Sequence, residues 1–225
     1  EREIAKIMRK VVKSILINES TSTIVTSENV GDFLSVKKFD YLAIEKQDQI
    51  GTVTGLAYTE VGGDLLAIET LMMHGKGEIK ITGKLGDVMK ESVQAAFSYI
   101  RAHNVRFGIR EELIKETDIH VHVPEGAVPK DGPSAGIAIC TAIVSTLTNI
   151  PVKHDIAMTG EITLRGRVLG IGGLKEKLLA ALRGNVKTVI IPQENVKDLA
   201  KIPQNVKENL DIKNDKVAIC EGIPF

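Results

Sequence analysis

The sequence contains little cysteine and no excess of charge of either sign. Its 225 residues include two cysteines, Cys140 and Cys220. These lack the Cys-x-x-Cys spacing of redox motifs, and Cys140 lies in an apolar helical pattern, where cysteine serves as a small core residue. Lysine plus arginine and aspartate plus glutamate both total 29, so the formal net charge is zero. We therefore expect a reduced, cytosolic protein with no general electrostatic attraction to nucleic acid or anionic membranes.

Long hydrophobic runs are also missing. No stretch reaches the roughly 20 apolar residues that span a bilayer, and Glu1-Arg2-Glu3 at the start lacks the apolar core of a secretion signal. The Gly-x-x-x-x-Gly-Lys-Ser/Thr order of a nucleotide loop is absent, since leucine follows Gly83-Lys84. We interpret that pair and Gly75-Lys76-Gly77 as turns. Because the chain does not begin with Met, we expect it to be a piece of a longer protein.

Hydrophobic periodicity predicts alternating helices and strands along most of the chain. Apolar residues at helical spacing predict helices over 4–16, 85–103, 134–147, 174–183 and 194–201, with a short helix beginning near 27–29. Runs rich in β-forming residues predict strands over 23–25, 52–60, 65–73, 78–82, 118–123, 155–163, 167–169, 188–191 and 217–219. The polar stretch 37–49 is predicted to be a loop, and a domain boundary is expected near 18–22.

Ser134 is the main candidate for chemistry. It follows Pro129-Lys130-Asp131-Gly132-Pro133, in which Asp131 and Gly132 favour a turn and Pro133 suits the first position of a helix. The first backbone N–H groups and the helix dipole favour an anion at this point. A lone serine here more often satisfies backbone donors at a helix start. A catalytic role therefore requires a base.

Two histidines are the first candidates for that base. His120 and His122 share one face of the predicted strand 118–123, which runs into the Ser134 turn. No nearby cysteine or acidic run completes a metal-ligand set around them. We favour a structural role for both, although a histidine could also take the proton of a serine hydroxyl.

Two lysines are the alternative bases, because burial lowers the pKa of an amine toward neutrality. Lys175 and Lys177 lie on the predicted helix 174–183. Two residues turn a helix by about 200°, so both lysines fall at margins of its apolar face, on opposite sides. Small residues near Lys177 would leave space for a substrate, but periodicity alone does not choose between the two.

Four runs of the sequence together carry a family resemblance. They are 55–64, 121–136, 159–166 and 172–178, and the order of the last three makes chance agreement implausible. This combination resembles the proteolytic domain of the bacterial-type ATP-dependent Lon protease, over residues 21 to 220. The resemblance implies an α+β fold in which mixed β-sheets pack with helices. It also implies that residues 1–20 are a helix remnant or linker from an upstream ATPase module and residues 21–225 the proteolytic domain.

The resemblance assigns roles to four residues. Ser134 and Lys177 match the serine–lysine dyad of the family, which leaves Lys175 as a bystander. Thr159 matches a threonine whose hydroxyl helps to orient the catalytic amine, and Asp131 matches the acidic residue of the serine loop. The implied activity is that of a serine endopeptidase, which degrades unfolded, damaged or regulatory proteins through an acyl-enzyme.

Further expectations follow from the same resemblance. No cofactor is expected in this domain, whereas ATP and Mg²⁺ belong to an ATPase module that this sequence lacks. The family works as a homohexameric ring in protein quality control and the stress response, in the bacterial cytoplasm, and no membrane or nucleic-acid partner is expected here. Two alternatives stay open: a serine–histidine hydrolase that uses His120 or His122, and a non-catalytic assembly or chaperone module.

Overall fold

The computed structural model describes residues 2–17, 22–34, 47–59, 62–124 and 130–215. The chain forms two compact units, residues 1–41 and residues 42–225. The predicted domain boundary near residue 20 stays a prediction. The predicted loop 37–49 falls mostly outside the described residues, as does the predicted strand 217–219 in full.

Among its described residues, the smaller unit contains helices α1 (Arg2–Leu16) and α2 (Val30–Leu34), both near their predicted positions. The predicted strand over 23–25 is wrong, because these residues form no regular structure. The side chain of Asn29 explains this locally: its amide oxygen accepts from the Thr26 backbone N–H at 2.8 Å, and its nitrogen donates to the Ile24 carbonyl at 2.9 Å. Asparagine thereby satisfies backbone groups that a strand would use for pairing.

Within the described residues, the larger unit is built on a seven-stranded mixed sheet, which confirms the α+β class. The strands are β1 (Thr52–Thr59), β2 (Gly62–His74), β3 (Ile79–Thr82), β4 (Thr117–His122), β5 (Ile156–Met158), β6 (Glu161–Ile162), β7 (Val168–Leu169), β8 (Thr188–Pro192) and β9 (Asp211–Asp215). In the sheet order β3-β4-β2-β1-β5-β8-β9, the pairs β1–β2 and β2–β4 are antiparallel and the other neighbours are parallel. Strands β6 and β7 form a separate antiparallel hairpin.

Helices cover both faces of this sheet. They are α3 (Asp87–Ala102), α4 (Glu111–Glu116), α5 (Gly136–Thr148), α6 (Leu174–Arg183) and α7 (Gln204–Asn209), with 3₁₀ segments at Asn104–Phe107, Pro133–Ala135 and Gln193–Lys201. Helices α3 and α5 belong to one hydrophobic cluster and α6 and α7 to another. The neighbours Leu65 and Leu66 of β2 fall in different clusters, because successive side chains of a strand point to opposite faces.

Helix α5 lies at the centre of the unit, since all of its residues from Gly136 to Leu147 are buried. A helix that is apolar all round must be covered on every side. Its few hydroxyl groups bind backbone: Ser145 Oγ, for example, accepts from the Gly51 N–H at 2.9 Å. The serine that precedes α5 is therefore carried on one of the most firmly held elements of the fold.

One predicted strand, over 155–163, is divided in two. Strand β5 ends at Met158 and β6 begins at Glu161, with Thr159 and Gly160 between them. The Thr159 N–H still donates to the Ile190 carbonyl of β8 at 3.1 Å, but the Gly160 N–H turns to the Ser134 carbonyl at 2.8 Å. The break therefore joins the sheet to the serine segment.

Candidate active site

Ser134 lies in the 3₁₀ turn Pro133–Ala135, which leads directly into α5. The predicted helix start is thus confirmed, with a tighter first turn than expected. Gly132, just before the turn, has φ 125° and ψ 154°, a backbone conformation that residues with a side chain rarely adopt. This glycine lets the loop turn sharply so that the Ser134 side chain stands half-buried at its end.

The structure distinguishes the two candidate lysines of α6. Lys177 is 2% exposed, whereas Lys175 is exposed to solvent. The position of α6 against the antiparallel pair β1–β2, here called the first hairpin, accounts for this. At the end of α6 the Arg183 guanidinium donates to the Gly63 carbonyl of β2 at 2.6 Å. Helix α6 thereby turns Lys177 inward, toward the serine.

The Lys177 amine contacts two hydroxyl groups. Its Nζ lies 2.8 Å from Ser134 Oγ and 3.0 Å from Thr159 Oγ1. The Thr159 hydroxyl in turn donates to the Ser134 carbonyl at 3.1 Å, the same oxygen that accepts from the Gly160 N–H. The two residues at the break between β5 and β6 therefore bind the backbone of the serine whose side chain meets Lys177.

Burial lowers the pKa of Lys177 to about 8, from an ordinary value of 10.5. The cause is the loss of water around the charged ammonium, since a low-dielectric surrounding favours the neutral amine. With a pKa of about 8, about a tenth of the amines are neutral at pH 7. A neutral amine 2.8 Å from a serine hydroxyl can take its proton.

Asp131 has hydrogen bonds of a different kind. Its Oδ1 accepts from the Met89 backbone N–H at 3.0 Å and from the Gly132 N–H at 2.9 Å. The first of these caps an otherwise unpaired donor in the first turn of α3. Nearby, the Gly86 N–H donates to the Lys130 carbonyl at 2.7 Å. Asp131 therefore fastens the serine loop to α3.

The two histidines share one partner on the sheet. Thr82 Oγ1 lies 2.9 Å from His120 Nε2 and 2.6 Å from His122 Nδ1. These contacts link β3 and β4 at one end of the sheet. Strands β2 and β1 separate them from β5, which Thr159 directly follows. In the described part of the chain no three His, Cys, Asp or Glu side chains are grouped as metal ligands.

A cleft of about 340 Å³ is lined in part by Ser134 and Lys177. Apolar side chains line it, among them Leu56 of β1, Leu66 of β2 and Met89 of α3. Tyr58 of β1 and the loop 170–173, which includes Ile171, form further parts of its walls. Sequence periodicity does not reveal these residues, because they come from segments that meet only in the folded chain.

Comparison with known proteins points to one family. The family model described as "Lon protease (S16) C-terminal proteolytic domain" matches residues 24–219. The chain is 60% identical over 212 residues to the Lon protease of Wolbachia pipientis, 63% over 212 residues to that of Brucella suis and 62% over 213 residues to that of Haemophilus influenzae. Each comparison covers 94% of this chain and 26% of the relative, so the chain spans about a quarter of the length of the curated relatives it matches. No helix among the described residues is long and apolar enough to cross a membrane.

Proposed function

Because the chain belongs to the family of Lon protease (S16) C-terminal proteolytic domains, we propose that Ser134 is its nucleophile and Lys177 its general base. The supporting observation is the 2.8 Å contact between Lys177 Nζ and Ser134 Oγ, made by an amine whose pKa burial lowers to about 8. Both observations support the proposal, because a serine hydroxyl is a weak nucleophile that needs a nearby base partly neutral at physiological pH.

The reaction begins when neutral Lys177 accepts the hydroxyl proton of Ser134. The Oγ atom attacks a peptide carbonyl, and backbone N–H groups at the start of the 3₁₀ turn stabilise the negative charge that forms on the carbonyl oxygen. The Lys177 ammonium then gives its proton to the leaving amine, which leaves an acyl group on Ser134. Lys177 then takes a proton from water, whose oxygen attacks this ester. The bond to Ser134 Oγ breaks, the Lys177 ammonium returns the proton to that oxygen, and the second product leaves as a carboxylate.

Thr159 supports this cycle by fixing the orientation of the amine. Its hydroxyl hydrogen is committed to the Ser134 carbonyl, so the oxygen presents a lone pair to Lys177 Nζ. A neutral amine that donates one N–H to Thr159 has its own lone pair free for the Ser134 hydroxyl. This arrangement needs no third carboxylate, which in a histidine-based triad fixes the tautomer of the base.

The cleft supports a polypeptide substrate, since apolar walls around Ser134 suit the side chains of an extended segment. We assign unfolded, damaged or regulatory proteins as substrates, in protein quality control and the stress response of the bacterial cytoplasm. The relatives are about four times as long as the match. Their additional length is consistent with an ATPase module that uses ATP and Mg²⁺ to unfold substrates, and with assembly of the protease as a homohexameric ring.

The two lysines of α6 offer a matched test. Lys177→Ala should lower the cleavage rate of a short fluorogenic peptide by about a thousandfold or more, because it removes the base. Lys175→Ala removes an exposed lysine two residues away and should leave the rate within about twofold of the parent. Near-normal cleavage by Lys177→Ala, with both histidines intact, would support the serine–histidine alternative instead. If a fluorophosphonate failed to label Ser134 in the parent chain, that result would support the alternative of a non-catalytic assembly or chaperone module.

A further inference from the structure

The glycine loop, residues 170–173, forms one wall of the cleft. It leads into α6, which begins at Leu174, three residues before Lys177. It belongs to no helix or strand. Three of its four residues are glycines, which have more backbone freedom than other residues. Contacts from elsewhere in the chain must therefore determine its shape.

Asn195 supplies two such contacts from the 3₁₀ segment Gln193–Lys201. Its Oδ1 accepts from the Ile171 N–H at 2.9 Å, and its Nδ2 donates to the Ile171 carbonyl at 2.9 Å. A second Nδ2 hydrogen binds Asp198 Oδ2 at 2.8 Å, which fixes the amide orientation. Asn195 is 4% exposed, so its side chain replaces the water that would otherwise solvate the Ile171 backbone.

Glu194 adds a third contact to the glycine loop. Its Oε2 accepts from the Gly170 N–H at 3.0 Å, although its side chain is about half exposed. A side chain at residue 170 would obstruct this arrangement, because a Cβ there would lie 2.9 Å from that oxygen and 3.2 Å from the Cβ of Glu194. A side chain at residue 170 would therefore displace the Glu194 carboxylate from its contact with the Gly170 N–H.

These contacts act on the wall of the cleft and leave the dyad to its own partners. The Lys177 amine contacts the hydroxyl groups of Ser134 and Thr159. Asn195 instead binds the backbone of Ile171, and Ile171 lines the cleft. We propose that Asn195 is a positioning residue for substrate binding, which shapes the peptide-binding wall through Ile171, with Glu194 as its assistant. This inference rests on the proposed function, since it assigns the cleft to a peptide.

A binding experiment tests the inference apart from catalysis. In a Ser134→Ala background, fluorescence anisotropy measures the Kd of a fluorescein-labelled leucine-rich decapeptide, chosen because apolar side chains line the cleft. Adding Asn195→Ala should raise Kd by about tenfold, because the two hydrogen bonds that hold Ile171 are lost. Lys197→Ala, an exposed substitution on the same 3₁₀ segment, is the control and should leave Kd unchanged.

Glu194 gives an independent variant at an exposed position, where loss of folding is not expected. Glu194→Ala should raise Kd by about threefold, and Glu194→Gln should restore it, since the amide oxygen still accepts from Gly170. Equal Kd values in all of these chains would overturn the inference while leaving the proposed function intact. If the Ser134→Ala parent itself failed to bind the peptide, the proposed function and this inference would both be overturned.

Kinetics with Ser134 intact separate positioning from a general structural role. For Asn195→Ala we expect a rise in KM of about tenfold, with kcat, the rate of fluorophosphonate labelling and the pH midpoint of cleavage unchanged. If the rate of fluorophosphonate labelling of Asn195→Ala fell as much as its rate of peptide cleavage, or if the pH midpoint of cleavage moved, Asn195 would act through Lys177 or through overall stability. Either result would overturn the assignment.

Discussion

The pH dependence of peptide cleavage follows directly from the burial of Lys177. Its pKa of about 8 means that the amine is about one-tenth neutral at pH 7, half neutral at pH 8 and about nine-tenths neutral at pH 9. We expect kcat/KM to rise about tenfold between pH 7 and a plateau above pH 9, with a midpoint near 8. An amine with the ordinary pKa of 10.5 would be neutral in fewer than about one molecule in a thousand at pH 7.

The same group should make the stability of the fold depend on pH. Between about pH 8 and 10.5 the unfolded chain binds a proton at Lys177 that the folded chain has released, so the free energy of unfolding rises with pH through this window. Below pH 8 both states are protonated and the contribution of Lys177 stays constant. The difference between a pKa of 10.5 and one of about 8 corresponds to about 3 kcal/mol in total.

Two measurements check these expectations together. The first is kcat/KM for a short peptide from pH 6 to 10, and the second is urea unfolding of the parent and of Lys177→Met over the same range. The difference in unfolding free energy between the two chains isolates Lys177 from other groups that titrate above pH 9. A cleavage midpoint near 10.5, or parallel stability curves for the two chains, would refute the idea that burial tunes Lys177.

Two further variants address the groups around Ser134 and Lys177. Thr159→Val removes the hydroxyl that binds both Lys177 Nζ and the Ser134 carbonyl. It should lower kcat by about tenfold to a hundredfold, with a much smaller change in KM. An unchanged kcat would show that the Lys177 amine needs no support from Thr159. Asp131→Ala removes the acceptor for the Met89 N–H and should lower the free energy of unfolding, measured in urea, by about 1 kcal/mol. Asp131→Asn keeps an acceptor oxygen and should retain most of that stability. Equal losses of stability in the two variants would rule out the capping role of Asp131.

Elements with strong periodicity were predictable from the sequence. Helix α6 has its predicted bounds, Leu174 to Arg183, and strands β1 and β2 lie close to the predicted strands 52–60 and 65–73. Local patterns suffice in these cases because each element buries one consistent face. The family resemblance, confirmed by the match over residues 24–219, supplied what local patterns could not.

The choice between Lys175 and Lys177 shows where periodicity reaches its limit. Both lie at margins of the apolar face of α6, and burial of one rather than the other depends on how the helix sits on the first hairpin. That placement involves contacts such as Arg183 to Gly63, 120 residues apart in sequence. A one-dimensional pattern carries no information about such a contact.

The break at Thr159 and the role of Asn195 were not predictable for related reasons. Residues 155–163 have the composition of one continuous strand, but the Gly160 N–H pairs with Ser134 instead of extending the sheet. Asn195 binds the Ile171 backbone, 24 residues away, through a side chain with no periodic signature. Both features arise from hydrogen bonds between distant segments, and both shape the candidate site.

Covalent modification of Ser134 tests most directly whether Lys177 activates it. A fluorophosphonate reacts with an activated serine hydroxyl, and mass spectrometry of the digested chain identifies the modified residue. At pH 8 we predict that the reagent labels Ser134 in the parent chain. Across pH, the labelling rate of the parent should rise with a midpoint near 8. In Lys177→Met the labelling rate at pH 8 should fall by about a hundredfold or more. Labelling of Ser134 in Lys177→Met at the parent rate would contradict the assignment of Lys177 as the base.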